Sequence, residues 1–228
     1  MKTMLLALLC YLSTIPLNAQ TEEFRVKAGD DITTKISEHG KYRFTAFKQG
    51  RIYYDYGKSA SAKFNYNYLV EEMQFINPDG DTLSIANPEQ VKYVVFDSAI
   101  YYYNEGFIEL VKNLDSVKIG KKQKLKIVYE KIGAYGQPTN SSAIDNNKFY
   151  LENNTFYRLT INQDAIIKKQ TTWYIISDKE ERPVEADKAG FTKLFPQHKD
   201  DIKVFTKENN DALKTADGLA RLLSICMK

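Results

Sequence analysis

The chain has little of what metal and nucleophilic chemistry needs. Its 228 residues include two histidines, two cysteines and one tryptophan. His39 and His198 lie far apart, and neither has a second ligand at metal spacing, so no metal site is expected. A Ser-His-Asp or Cys-His arrangement would have to use one of these two histidines, and no G-x-S-x-G elbow accompanies either. Glycine-rich phosphate loops are also missing. Gly133-Ala134-Tyr135-Gly136 lacks the strand-to-helix setting that aims backbone N–H groups at an anion. Asn77, Asp79 and Asp81 alternate oxygen side chains, but the glycine is misplaced for a calcium loop and no glutamate closes it, so a β-turn accounts for them better. No cofactor, metal or catalytic residue is nominated on these grounds.

Charge of one sign is equally scarce. Thirty-two Lys and Arg face 29 Asp and Glu, a net charge of +3. A balance that close to neutral gives no electrostatic footprint for nucleic acid. Long apolar runs are confined to the start. Met1-Lys2-Thr3 carries one positive charge, Met4 to Leu12 is apolar throughout, and Leu17-Asn18-Ala19 offers a small residue before Gln20. This layout predicts a signal peptide over residues 1–19, too short for the roughly 20 apolar residues of a bilayer-spanning helix. Cys10 follows Leu8-Leu9 inside the apolar run, which disfavours lipoprotein attachment. No other segment is apolar enough to span, so the expectation is an exported protein, periplasmic, cell-surface or secreted, with no transmembrane segment after cleavage. Cleavage leaves Cys226 as the only cysteine, which excludes an internal disulfide and leaves packing to stabilise the fold.

What the chain has in quantity is aromatic side chains, sixteen Tyr and twelve Phe. Tyrosine suits a pleated, half-wet surface. Tyr42, Phe44 and Ala46 alternate with polar residues, as do Ala62, Phe64, Tyr66 and Tyr68. Turn signals such as Tyr56-Gly57-Lys58, Asn77-Pro78-Asp79-Gly80 and Asn104-Glu105-Gly106 recur every eight to twelve residues. Lys122, Lys124 and Lys126 give a later strand a lysine face, and residues 133–147 read as a long loop. The segment 20–40 is weakly patterned, either a flexible arm or an edge strand. After Arg182-Pro183 the period changes. Phe191, Leu194 and Phe195 share a helical face ended by Pro196, and Thr215 caps a helix carrying Leu219, Leu222, Leu223 and Cys226. The expected fold is mainly β, an antiparallel sandwich or partly open barrel over residues 20–185, with a small α-helical cap over 186–228.

Several short motifs carry a resemblance. Gly57-Lys58, Lys63-Phe64-Asn65-Tyr66-Asn67, Glu72-Met73-Gln74-Phe75, Gly133-Ala134-Tyr135-Gly136, Lys193-Leu194-Phe195-Pro196 and Ile202-Lys203-Val204-Phe205 together resemble uncharacterised secreted proteins of Bacteroidota. That likeness implies a bacterial envelope or extracellular location and transfers no functional residue. Asp81-Thr82-Leu83, Asp97-Ser98-Ala99 and Asp115-Ser116-Val117 resemble the O-glycosylation acceptor pattern of the same bacteria, nominating Thr82, Ser98 and Ser116 for modification.

Candidate binding residues come from the aromatic content. Tyr101 and Tyr103 fall on one face of a strand, and Tyr135 sits in the 133–147 loop. These rings suit stacking on a glycan or a protein partner, with core packing the competing reading for the strand pair. Glu72, Asp97, Glu105 and Glu109 are the carboxylates nearest the aromatic strands; two of them across a cleft would suit a glycosidase. Lys118, Lys121, Lys122, Lys124 and Lys126 read either as a polyanion site or as a charged strand face that discourages edge pairing. The function expected is a non-enzymatic binding or envelope-associated module for a protein or glycan; the alternative is a carboxylate-dependent hydrolase. A third reading makes residues 187–228 the interaction element.

Overall fold

A computed structural model describes residues 23–31, 34–36, 40–114, 116–129, 131–132, 138–139, 151–152, 155–156, 164–177, 180, 182–209 and 211–227. The expected leader, Cys10, His39 and Tyr135 lie outside them.

The fold is mainly β, as the alternation predicts. The chain forms β1 (Glu23–Val26), β2 (Lys48–Tyr54), β3 (Ser59–Asn67), β4 (Glu72–Ile76), β5 (Thr82–Ser84), β6 (Val91–Phe96), β7 (Ala99–Tyr103) and β8 (Phe107–Leu114). It continues with β9 (Val117–Tyr129), β10 (Lys131–Ile132), β11 (Pro138–Thr139), β12 (Leu151–Glu152), β13 (Thr155–Phe156), β14 (Ala165–Ser177) and β15 (Val184–Glu185). Eleven of these make one antiparallel sheet. Its order is β1, β14, β9, β8, β7, β6, β2, β3, β4, β5, with β15 beside β14. The weakly patterned N-terminal segment therefore supplies an edge strand. β10 with β11 and β12 with β13 pair separately.

The sheet curls without closing. β3 and β9 are five steps apart in the order, yet the Leu125 N–H donates to the Tyr68 carbonyl at 2.9 Å and the Tyr66 hydroxyl to the Gln123 carbonyl at 3.3 Å. Curling turns one set of alternating side chains inward. Ile52, Phe64, Tyr66, Val94, Phe96, Tyr101 and Phe107 fill the resulting core. Phe96 and Tyr101 stack with centroids 5.5 Å apart and planes 7° apart, and Tyr66 stacks on Tyr101 at 5.4 Å. Gly50 permits this closeness, because a Cβ there would lie 2.4 Å from the Phe96 Cβ.

One expected strand is different. The alternation at Tyr42, Phe44 and Ala46 forms no strand; Tyr42 makes an isolated bridge to Asn67. The reason is local. The buried Asn65 accepts from the Phe44 N–H at 3.1 Å and donates to its carbonyl at 2.8 Å, so a side-chain amide replaces ladder hydrogen bonds.

Three helices follow the sheet: α1 (Lys188–Leu194), α2 (Lys199–Glu208) and α3 (Ala216–Cys226). Asp187 caps α1 by accepting from the Gly190 N–H at 2.7 Å, and Thr215 caps α3 by accepting from that of Gly218 at 3.1 Å. The expected apolar stripe of α3 is buried, each of its large side chains contributing roughly 1.5–3 kcal/mol. It meets Phe191, Ile202 and the sheet residues Val117, Ile119 and Ile175 in a second core. β9 and β14 pair over thirteen residues and serve both cores, Leu125, Ile127 and Ile167 at one end and Val117, Ile119 and Ile175 at the other. The helical cap is therefore packed on the same curled sheet that forms the first core.

Candidate functional site

Small side chains open the candidate binding site. On the inner face, Ile52 pairs with Ala60 and Gly50 with Ala62. Further along β3 the same face carries Phe64 and Tyr66. The two alanines leave space that the bulky residues fill elsewhere. The result is a groove of about 890 Å³ at the β5 end of the sheet. Ile52, Ala62, Phe64, Phe75, Leu83 and Ile85 form its apolar floor. Tyr54 and Tyr56 stack at one side, centroids 5.2 Å apart and planes 18° apart, with Tyr56 57% exposed. Gln49, Asn77, Ser84, Asn87 and Gln90 supply neutral hydrogen-bonding groups among the lining, and Lys63 its one charge. Among the described residues β5 is the last strand of the order.

The aromatic pair nominated from the sequence lies elsewhere. Tyr101 and Tyr103 do share a face, but it is the inner one. Tyr101 is 1% exposed, stacked between Phe96 and Tyr66, and its expected role as a surface ring does not hold. The competing core reading is the one its position fits. Burial and the neighbouring Glu109 push its hydroxyl well above the usual tyrosine range. Tyr103 is half-buried against Phe107, centroids 5.1 Å apart.

The carboxylates separate into three settings. Glu72 and Glu105 line one small pocket of about 260 Å³, with Glu71, Tyr103 and Phe107. Glu72 accepts from the Ser84 hydroxyl, which accepts in turn from Gln74 at 3.2 Å. Gln74 accepts from Tyr42 at 2.9 Å and Asn67 at 3.1 Å, so Glu72 ends a buried polar network joining β3, β4 and β5. Glu105 holds Arg182 at 2.8 Å on the surface, and its carbonyl accepts from Lys122. Asp97 lies away from this pocket, in the two-residue turn between β6 and β7. Glu71, Asp97 and Glu105 all have left-handed φ, 58°, 53° and 48°, so turn geometry accounts for their placing.

Glu109 is the exception, a carboxylate 7% exposed inside the barrel. Arg43 meets it from the segment beside β3, with Nη2 to Oε1 at 3.0 Å and Nε to the two oxygens at 3.3 and 3.2 Å. Lys121 approaches Oε2 at 3.5 Å and the Tyr101 hydroxyl donates to it at 3.3 Å. The Glu109 carboxylate holds the Arg43 guanidinium even more firmly protonated than usual. Burial lowers the Lys121 ammonium, an effect that Glu109 partly offsets. The cluster ties β8, β9 and the segment at Arg43 together across the interior.

The lysine run divides by strand alternation. Lys121 points inward to Glu109, whereas Lys122 rests its ammonium 5.6 Å from the Tyr174 ring centroid on the outer face. Lys124 lies 3.8 Å from Glu71. The hydroxyl residues Thr82, Ser98 and Ser116 are all exposed, each at or beside a turn. Among the described residues no group of three or more His, Cys, Asp or Glu is placed to hold a metal ion. Sequence reading missed the groove because its signal is an absence of bulk: Ala60 and Ala62 on the face that later carries Phe64 and Tyr66. Arg43 had no sequence signal at all, since its partner lies 66 positions away. No protein-family description, curated protein or solved structure matches this chain.

Proposed function

We propose that this is an exported, non-enzymatic binding module, periplasmic or cell-surface, that receives an extended segment of a partner protein in the groove beside β5. The observation that carries the reading is the groove itself, with an apolar floor, a stacked tyrosine pair and a rim of neutral amides and hydroxyls. An extended peptide offers alternate apolar side chains to such a floor and backbone amides to such a rim. Export rests on the apolar leader, and no helix among the described residues is long and apolar enough to cross a membrane.

The test fills the groove. Ala62→Leu places added bulk on the floor, and Tyr56→Ala removes the exposed stacked ring. Binding is read by fluorescence polarisation against a panel of labelled, extended peptides with alternating apolar and polar residues. Both variants should lower the affinity of every peptide that binds, at unchanged circular dichroism. Peptides that bind the filled variant as well as the parent would overturn the reading.

A second reading keeps the hydrolase alternative, because Glu72 and Glu105 line one pocket. It needs one carboxyl group held protonated as the acid. Glu72 instead accepts from Ser84, and Glu105 is paired with Arg182. Each carboxylate is thus engaged by a neighbour of its own, which weighs for binding over hydrolysis.

A further inference from the structure

We propose that the outer face of the sheet over β2, β6 and β7 binds an acidic polysaccharide, independently of the groove. Outer faces of antiparallel sheets in water are normally polar. Here one cross-strand row is aromatic. Tyr53 pairs with Tyr93, and Tyr93 with Tyr102, so the three rings stand side by side on adjacent strands. Their centroids are 4.6 and 6.2 Å apart. Beyond Tyr102 the row ends at Ile108, which is fully buried. All three tyrosines are half-buried, and the planes of neighbouring rings stand 33° and 59° apart, so Tyr53 and Tyr93 pack against one another. Two strand spacings of about 4.8 Å make the row about 10 Å long, on the scale of a few linked sugar rings.

Charge selects among occupants. β2, β3, β6 and β7 contain no Asp or Glu; of their four cations Lys48 pairs with Phe64 on the inner face and Lys63 lines the groove, which leaves Arg51 and Lys92. Arg51 lies two residues from Tyr53, hence on the same face, and is exposed; its Nε donates to Ser61 at 3.3 Å. Lys92 is exposed beside Tyr93, where the pairing shifts and two residues of β6 oppose one of β2. Asp55, Glu89 and Asp97 stand in turns at the strand ends. The near-neutral balance of the whole chain conceals this local segregation.

An acidic polysaccharide fits both features. Sugar C–H groups and hydroxyls meet the edges and phenol groups of the tyrosine row, and regularly spaced carboxylates meet a guanidinium or ammonium. The surface is convex and lacks the basic groove that tracks a single-stranded nucleic acid.

The experiment uses the purified full chain and polygalacturonate, read by affinity electrophoresis and calorimetry at two salt concentrations. Binding should weaken with salt, and neutral dextran should bind far less. Tyr93→Ala with Tyr102→Ala should cost about tenfold in affinity or more. Because those rings also pack on the sheet, Arg51→Glu with Lys92→Glu provides an exposed pair whose melting temperature should stay at the parent value while binding is lost. Ala62→Leu in the groove should leave polygalacturonate binding intact, which separates this surface from the peptide site. No retardation by polygalacturonate, equal binding of dextran, unchanged affinity in the charge-reversed variant, or displacement by an oligonucleotide or by phosphatidylglycerol vesicles would each overturn the proposal.

Discussion

Replacing Glu109 by glutamine removes one negative charge from a site where three neighbours depend on it. The carboxyl side chain is 10% exposed, against 33% for Arg43 and 19% for Lys121. Breaking a fully buried pair costs roughly 3–5 kcal/mol, because the surviving charge is stranded. Arg43 and Lys121 retain some access to water and recover part of their hydration, which brings the expected loss to about 2–3 kcal/mol. For a chain of this size each kcal/mol moves the melting temperature by roughly 2–4 °C, so Glu109→Gln should melt about 5–10 °C lower at pH 7. Thermal circular dichroism and urea titration both read this. In a double-mutant cycle with Arg43→Met, the paired variant should cost less than the two single changes summed, by about 1–3 kcal/mol. A melting temperature within about 2 °C of the parent, or simple additivity in the cycle, would refute the view that Glu109 ties the interior together.

Three further outcomes follow from other parts of the molecule. Arg182→Gln breaks the Glu105 pair, whose side chains are 72% and 78% exposed, and should change stability by less than about 1 kcal/mol in the same urea titration. Gly218→Ala should lower the melting temperature well beyond the loss of a helix cap, since the new Cβ would stand 2.1 Å from the Ala212 carbonyl oxygen and force the 3-10 turn Ala212–Lys214 away from α3. Burial, with Asp201 adding to it, pushes the Cys226 thiol from an ordinary 9.0 up to about 11. The folded state then holds its proton more tightly than the unfolded one, and so does the buried Tyr101 hydroxyl. Stability should therefore be level below pH 9 and fall as pH rises from 9 toward 11, and a flat melting temperature across that range would contradict the burial of both groups.

The strands whose side chains alternate between core and water were legible before any coordinates: Ala62, Phe64 and Tyr66 announce their face by period alone. So was the cap of the last helix, because Thr215 acts within three residues of its partner; Asp187, which caps α1 in the same way, was not singled out. Features made by residues distant in sequence were not. Nothing near Tyr42 indicates that Asn65 will replace its ladder, and nothing near Tyr101 indicates that curling will bury it while Tyr102 faces out. Strand alternation assigns the two rings to opposite faces, but only the sense of curl says which face is wet. The groove was hidden for a related reason. An alanine in a strand reads as a weak strand former, and becomes a site only when its neighbours across the sheet are known.

The long pairing of β9 with β14 has a consequence for how the molecule comes apart. Both cores rest on the same two strands, so separating either end of the ladder exposes apolar surface belonging to the other. Cap and barrel should consequently behave as one cooperative unit, with a single calorimetric transition. The slowest-exchanging amides should run along the whole length of this strand pair, not cluster at one end.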